Sequence, residues 1–251
     1  MTTIQHGPAW RAAARRLLDT IFPLACVECR ARGSWLCPAC LRAIERLPLP
    51  ICAVCRQPVD DAAPHGCRSG ATMLASVSAI GVYAGPLRAA VHALKYEGHH
   101  AVTSALAPLL AERMAPLLAA DDLLVAVPLH PTRQRERGYN QSAIVAVELA
   151  RLLPLELAPT ALRRTRATAD QTRLSGARRA ANMRGAFTAR PQAVRDRRVW
   201  LLDDVYTTGA TLQAGAVALR AAGAREVRGA VIAATSSQSS VAIGLPKESS
   251  E

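Results

Sequence analysis

Residues 199–212 read Val-Trp-Leu-Leu-Asp-Asp-Val-Tyr-Thr-Thr-Gly-Ala-Thr-Leu. The first four are apolar without interruption, which is typical of a short strand buried on both faces of a parallel sheet. Asp203 and Asp204 follow at once, and a loop of threonines and glycine then leads into residues with helical spacing. Since ligands of open α/β sheets bind at the carboxyl ends of the strands, this segment predicts two carboxylates at a binding site.

The chain between residues 71 and 234 repeats this alternation of strand and helix. Apolar runs at 78–83, 123–127 and 227–234 predict further strands. Apolar helix faces are predicted at Leu87, Val91 and Leu94, at Val145, Leu149 and Leu152, and at Leu212, Ala216 and Leu219. Short apolar strands between amphipathic helices predict an α/β domain whose parallel sheet carries helices on both faces.

The loop after the two aspartates suits a phosphate group. Backbone N–H groups at the helix N-terminus, near Ala210, and the hydroxyls of Thr207, Thr208 and Thr211 can surround a phosphate, while Gly209 lets the backbone approach it. Because carboxylates repel a phosphate, the aspartates are expected to face sugar hydroxyls or a bound cation. The ligand that the segment predicts is therefore a sugar phosphate.

Two other interpretations of residues 199–212 are weaker. An apolar run ending in Asp-Asp is also typical of a Walker B strand, but the chain contains no G-x-x-x-x-G-K-[ST] loop. The aspartates could instead cap the loop, and the threonines could form turns. Two adjacent acids followed by Thr-Thr-Gly-x-Thr exceed what capping requires.

All seven cysteines lie between positions 26 and 67. Six of them form three successive C-x-x-C pairs, and the seventh follows alone. Tandem pairs in a reducing compartment are typical of zinc sites, whereas a redox pair would stand alone at a strand-to-helix junction. The sequence predicts an N-terminal helix and a structural zinc module within residues 1–70.

Zinc takes four ligands, and the chain offers eight candidates: Cys26, Cys29, Cys37, Cys40, Cys52, Cys55, His65 and Cys67. The first two cysteine pairs can complete one site. The third pair and Cys67 need a fourth ligand, for which His65 is the nearest candidate. Alternatively the first pair joins the third, and the sequence leaves open both the pairing and whether one ion binds or two.

Basic residues outnumber acidic residues by 31 to 19, a formal net charge of +12 at pH 7. From Arg163 to Arg198, 11 arginines stand against two aspartates. Such a stretch is either a solvated surface or a contact for phosphate or nucleic acid. Hydrophobic residues make up 50% of the chain, a share that excludes a protein disordered throughout.

No apolar run approaches the roughly 20 residues of a membrane span, and the N-terminus lacks the apolar core of a secretory signal. We therefore expect no membrane span and a cytoplasmic location. The Ser-rich residues 235–251 are expected to form a disordered tail.

The segment 203–211 resembles the 5-phosphoribosyl-1-pyrophosphate (PRPP) motif of type I phosphoribosyltransferases. The whole chain from residue 26 to 234 resembles the ComF family. The other residues that carry this resemblance are the cysteine pairs, Lys95-Tyr96, the run from Val127 to Gln141, and Gln171, Leu174, Arg178 and Asn182. The resemblance implies a zinc-ribbon module before a type I phosphoribosyltransferase-like domain, and an association with natural competence and DNA uptake.

This chain departs from the family pattern at two places. Members with a fourth C-x-x-C pair have two cysteines where this chain has His65 and Cys67. Tyr206 stands where a smaller residue is commoner.

The resemblance also implies roles for individual residues. Asp203 and Asp204 would bind the ribose 2- and 3-hydroxyls of PRPP, residues 207–211 would hold its 5-phosphate, and Mg²⁺ would bridge the ribose and the pyrophosphate. Departure of pyrophosphate needs cations more than a general base. The candidates are Lys95, the arginines of a basic loop predicted at 128–137 (Arg133, Arg135 and Arg137) and the arginine-rich segment 163–184; Arg137 is expected to be catalytic with the two aspartates. The arginine-rich segment 163–184 would close as a lid.

The expected function is that of a PRPP-binding phosphoribosyltransferase-like protein linked to DNA uptake or nucleotide metabolism. Its acceptor is not identified by any motif. The alternative is a non-catalytic factor that binds single-stranded DNA through the arginine-rich surface, with or without other competence proteins. The nine aromatic residues are scattered and not interleaved with the basic run, which disfavours base stacking.

Overall fold

The computed structural model describes residues 24–48, 50–59, 72–165, 183 and 185–235. The predicted N-terminal helix, His65, Cys67, most of the predicted lid and all but the first residue of the predicted tail lie outside these ranges. The helices are α1 Pro38–Arg42, α2 Gly85–Tyr96, α3 Thr103–Met114, α4 Pro131–Arg137, α5 Gln141–Leu152, α6 Pro191–Val194 and α7 Ala210–Ala221. The strands are β1 Val77–Val82, β2 Asp122–Ala126, β3 Glu156–Leu157, β4 Leu162–Arg164, β5 Phe187–Ala189, β6 Arg198–Tyr206 and β7 Glu226–Ala234.

The predicted parallel sheet is confirmed, with five strands in the order β1-β7-β6-β2-β3. Helices α2, α3 and α5 cover one face, and α7 covers the other together with the antiparallel pair β4-β5. The central strand β6 is buried from both sides, since residues 199–202 are at most 1% exposed. This explains why its sequence is continuously apolar instead of alternating.

The predicted apolar faces of α2 and α7 are buried as expected. On α5, Val145 and Leu149 are buried, but Leu152 is 51% exposed, so that part of the prediction is wrong. The helix ends at Leu152, and Leu153 and Leu155 of the following turn enter the core instead.

The basic loop predicted at 128–137 is also corrected, because its last seven residues, Pro131–Arg137, form helix α4. The ring Nδ1 of His130 accepts a hydrogen bond from the N–H of Thr132 (3.3 Å), and Pro131 occupies the first turn, where its missing N–H costs nothing. No residue of α4 is buried. The apolar periodicity that reveals a helix is therefore missing from its sequence.

The cysteine-rich residues pack along the edge strand β1. Leu36 and Ile44 join the core on one face of the sheet, and Ile51 joins the core on the other. Ile51 exchanges two backbone hydrogen bonds with Val77 (2.9 and 3.0 Å). These contacts cover an edge that would otherwise expose unpaired backbone groups.

Among the described residues, no helix has both the length and the apolar character needed to cross a membrane.

Candidate functional site

Strand β6 extends beyond its neighbour β2 at the carboxyl edge of the sheet. Ala126, the last residue of β2, pairs with Leu202, whereas on the other side β6 stays paired with β7 as far as Tyr206. Asp203 and Asp204 lie on this extension. Their carboxylates thus stand at the edge where open α/β sheets bind ligands.

The Asp204 carboxylate is buried between two polar side chains from neighbouring helices. Its Oδ1 lies 2.7 Å from Nζ of Lys95, near the end of α2, and its Oδ2 accepts a hydrogen bond from the Gln141 amide (2.5 Å), at the start of α5. Burial by itself would lower the pKa of Lys95, but the charge and the hydrogen bond of Asp204, together with the charges of Asp203 and Tyr96, outweigh it, so the pKa is raised. Lys95 therefore stays charged and compensates one of the two aspartates.

Arg137 reaches this network through Gln141. Its guanidinium donates to the Gln141 side-chain carbonyl (2.7 Å) and lies 5.4 Å from the ring centre of Tyr96. A side-chain amide that accepts from Arg137 and donates to Asp204 has a fixed orientation. Lys95, Asp204 and Arg137, which were predicted from separate segments, are thus brought together.

Asp203 has a different environment from Asp204. Its Oδ1 accepts hydrogen bonds from the backbone N–H of Asp204 (2.9 Å) and from the Ser142 hydroxyl (3.4 Å). Desolvation and the adjacent Asp204 charge raise the pKa of Asp203 by more than Lys95 and the two hydrogen bonds lower it, and the resulting pKa is about 7. Asp203 is therefore the carboxylate whose charge changes near neutral pH.

Sequence reasoning missed four residues that build this wall of the site: Tyr139, Asn140, Gln141 and Ser142. Asn140 caps α5 through the N–H of Ser142 (3.1 Å) and donates to the carbonyl of Val127 (3.0 Å). Tyr139 donates its hydroxyl to the carbonyl of Leu94 (2.6 Å), which ties α2 to the start of α5. The segment contributed to the family resemblance, but its uncharged side chains gave no chemical signal beyond the helix cap.

The predicted phosphate loop lies next to Asp203. Helix α7 begins at Ala210, and Gly209 before it has a φ of 77°. A small cavity is lined by Asp203, Val205, Tyr206 and residues 207–212. A Cβ on Gly209 would lie 2.4 Å from the Tyr206 hydroxyl, so the glycine is required by both backbone conformation and space. The first residues of α7 line this cavity, and the first N–H groups of an α-helix have no partner within the helix and favour anions.

The predicted arginines take different positions. Arg133 and Asp203 lie close enough to Arg164 in β4 to affect its pKa. Burial lowers this pKa most, the charge of Arg133 lowers it further, and the opposite charge of Asp203 raises it by less. Arg135 is exposed on α4. Arg164 belongs to the predicted lid and is not among the predicted site residues. Of the two arginines of that segment that the structure describes, Arg163 and Arg164, it is the one whose pKa the Asp203 charge affects.

The first four cysteines form one cluster, so the structure favours the pairing in chain order over the crossed one. The sulfurs of Cys26, Cys29, Cys37 and Cys40 lie within 4.8 Å of one another. Thiolates around a tetrahedral zinc at about 2.3 Å are about 3.8 Å apart, and the Cys29 and Cys37 sulfurs are 3.5 Å apart. The amides of Cys37 and Cys40 point to the sulfurs of Cys26 and Cys37 (3.5 Å each). This donor set fits a structural zinc ion.

The third pair, Cys52 and Cys55, has the same backbone geometry as the first. The amide of Arg30 donates to the carbonyl of Cys26 (2.9 Å), and the amide of Arg56 donates to the carbonyl of Cys52 (3.1 Å). Both arginines have a positive φ, of 64° and 60°. The second site predicted at this pair includes His65 and Cys67, which lie outside the described residues.

Two solved structures resemble part of this fold. One is described as the allosteric regulatory enzyme of purine biosynthesis (TM-score 0.38, 23% identity) and the other as glutamine PRPP amidotransferase from B. subtilis (TM-score 0.39, 22% identity). Each match covers 56% of this chain and only 30% of the other.

Similarity to curated proteins extends over most of the chain. The DNA utilization protein YhgH of Escherichia coli K12 is 34% identical over 201 residues, which are 76% of this chain and 88% of that protein. Competence protein F of Haemophilus influenzae is 30% identical over 220 residues, which are 82% of this chain and 95% of that protein. The model of the phosphoribosyl transferase domain matches residues 140–250, which include both aspartates and the loop after them. With relatives aligned over nearly their whole length and a phosphoribosyl transferase domain around this site, the chain belongs to the ComF family.

Proposed function

We propose that this protein binds PRPP at the carboxyl edge of its sheet and transfers the phosphoribosyl group to an acceptor. The observation that carries the proposal is the meeting of Asp203 and Asp204 with the phosphate-type loop at residues 207–211. In this proposal the aspartates accept hydrogen bonds from the ribose hydroxyls, and the loop donates to the 5-phosphate.

The cations around the aspartates fit the departure of pyrophosphate from the sugar. Breaking this bond leaves positive charge on the ribose ring and adds negative charge to the leaving group. Lys95 and Arg137 are held in fixed positions by Asp204 and Gln141, so they need little reorganisation to stabilise that charge. Arg133 and Arg135 on α4 would extend the cationic surface.

The oxygen donors at this edge fit Mg²⁺, which binds proteins through one or two carboxylates and shares substrate phosphates. Asp203 and Asp204 would contribute the carboxylate oxygens. When bound, Mg²⁺ would neutralise charge on the pyrophosphate group.

The proposal is tested by calorimetric titration of the zinc-loaded protein with PRPP, with and without Mg²⁺. We expect saturable binding of one PRPP per chain that weakens when Mg²⁺ is withheld. A protein that is folded by circular dichroism but does not bind PRPP in Mg²⁺ would contradict the proposal.

PRPP affinity is expected to increase between pH 6 and pH 8. The pKa of Asp203 is about 7, and the ribose hydroxyls and Mg²⁺ need its carboxylate form, so we expect an increase in PRPP affinity of up to about tenfold. The phosphates of PRPP also titrate, and the pH dependence of PRPP binding by Asp203→Asn measures their contribution. An equal pH dependence in the wild type and in Asp203→Asn would contradict the assignment of this effect to Asp203.

In the free protein, the same raised pKa means that the folded state binds a proton that the unfolded state has lost. This group therefore lowers the free energy of unfolding as pH rises from about 4 to 7.

A second candidate function is the binding of single-stranded DNA, alone or with other competence proteins. It is favoured by the names of the relatives, which refer to DNA utilization and competence, and by the net charge of +12. A complex held through phosphates weakens steeply with salt. Oligonucleotide binding at two salt concentrations, with PRPP as competitor, separates the two functions. We place either function in the cytoplasm, where the cysteines remain reduced.

A further inference from the structure

The third cysteine pair contacts the phosphate loop through Arg56. One end of the Arg56 guanidinium donates to the backbone carbonyl and the hydroxyl of Thr235 (2.9 Å each), and the other end donates to the backbone carbonyl of Thr207. Thr207 is the first residue of the phosphate loop. Arg56 thus fastens that residue to the end of β7.

Tyr206 makes a second connection between the same two segments. Its hydroxyl donates to the carbonyl of Ala53, between the cysteines of the pair, and its ring centre lies 5.5 Å from the Arg56 guanidinium carbon. Burial raises the pKa of Tyr206 to about 12, so the hydroxyl keeps the proton that it donates. The same hydroxyl packs against Gly209. Tyr206, which stands where a smaller residue is commoner, thus supports the loop from the side of the core.

We call the turn formed by a C-x-x-C pair and the arginine after it a knuckle. Comparison with the first pair, Cys26 and Cys29, shows that these contacts are not a general feature of such a knuckle. Arg30 occupies the same place with the same backbone conformation, yet its side chain is exposed. The positive φ is thus a property of the knuckle, whereas the reach of Arg56 to residues 151 and 179 positions away is particular to the third pair.

We propose that the Cys52–Cys55 knuckle is part of the phosphate site and that Arg56 is a positioning residue for the 5-phosphate loop. This inference rests on the proposed function, because it assigns the loop to a sugar phosphate. Without Arg56 the Thr207 carbonyl loses its cationic donor, and the loop gains freedom that phosphate binding must remove. The cost falls on the 5-phosphate and not on the pyrophosphate group, which is bound by other residues.

The test compares ribose 5-phosphate with Mg²⁺-pyrophosphate as calorimetric probes of the full-length protein. For Arg56→Ala we expect affinity for ribose 5-phosphate to fall at least about tenfold, which is the lower end of the loss seen when a residue that orients a metal ligand is removed. Pyrophosphate affinity should change less than about twofold. Arg56→Lys, whose single ammonium cannot hold both carbonyls in a planar fork, should lie between. Arg30→Ala is the matched control and should bind both probes like the wild type.

Each outcome is decisive. Unchanged ribose 5-phosphate binding by Arg56→Ala, or equal losses for both probes, overturns the inference while the proposed function stands. If the wild type binds neither ribose 5-phosphate nor Mg²⁺-pyrophosphate, the proposed function is overturned and the inference with it. If Arg56→Ala does not fold, Tyr206→Phe keeps the ring and removes only the bond to Ala53. It should show the same selective loss at about threefold, and an unselective loss or none overturns the inference.

Discussion

Replacing Asp203 and Asp204 together by asparagine is expected to weaken the binding of PRPP in Mg²⁺ by at least about 100-fold. Hydrogen bonds to a charged group contribute about 1.5–3 kcal/mol each, so two ribose hydroxyls that lose carboxylate acceptors cost about 3 kcal/mol or more. The double substitution also leaves the Lys95 ammonium without its anion, 2.7 Å from the former carboxylate. Calorimetric titration of both proteins measures the loss.

Replacing Asp203 should not destabilise the fold, because desolvation and the Asp204 charge already oppose its ionised form. Replacing Asp204 removes the partner of Lys95 and should lower the melting temperature, so binding is measured below the melting temperature of the variant. Its thermal unfolding at pH 8 serves as the check. Asp121→Asn is the matched control, since Asp121 precedes β2 at the opposite edge of the sheet and its carboxylate pairs with Arg225 (2.8 Å). Binding by the double variant within about threefold of the wild type would show that the sugar does not lie on these aspartates.

Loss of metal from the first cysteine cluster is expected to have the largest effect on stability. Replacing Cys37 and Cys40 by serine should remove one equivalent of zinc and lower the melting temperature by about 20 °C or more. A structural zinc ion contributes about 10 kcal/mol, which is comparable with the whole stability of a typical domain, and each kcal/mol shifts melting by about 2–4 °C at this size.

This effect should spread beyond the cysteines. Leu36, Cys40 and Ile44 belong to the same core as Ile80 of the edge strand, so an unfolded metal site exposes one face of the sheet. Zinc content by mass spectrometry and melting by circular dichroism give the two readouts. Arg42→Ala, on the exposed side of the same short helix, should change neither. Loss of zinc without a change in melting would mean that the cluster does not support the fold.

The sheet and its site edge could be predicted because their signals are local in sequence. Residues 199–202 are apolar on both faces of a buried strand, and the two acids follow directly. Helix α4 could not be predicted in the same way, because it buries no residue and so shows no period. The prediction that Leu152 belongs to a buried helix face is wrong for a related reason. Periodicity shows which face of a helix is apolar, but it does not show where the helix ends relative to the core.

The partners within the site depend on contacts between distant segments. Lys95 was singled out as the one lysine before the tail, but its bond to Asp204 joins residues from two different helix–strand units. Gln141 carries no charge, and its importance comes from standing between Arg137 and Asp204. The pairing of the cysteines was likewise open until the chain placed four sulfurs together.

The bond from Arg56 to Thr235 spans 179 residues, and it has a consequence for the order of events during synthesis. The first cysteine cluster is complete once residue 40 has left the ribosome, so it can take up metal early. The proposed phosphate loop has its full support only after β7 and Thr235 have been made and have docked beside the Cys52–Cys55 pair. Contacts so distant in the chain form late in folding. Under the proposed function, a nascent chain would therefore take up zinc long before it could bind a sugar phosphate.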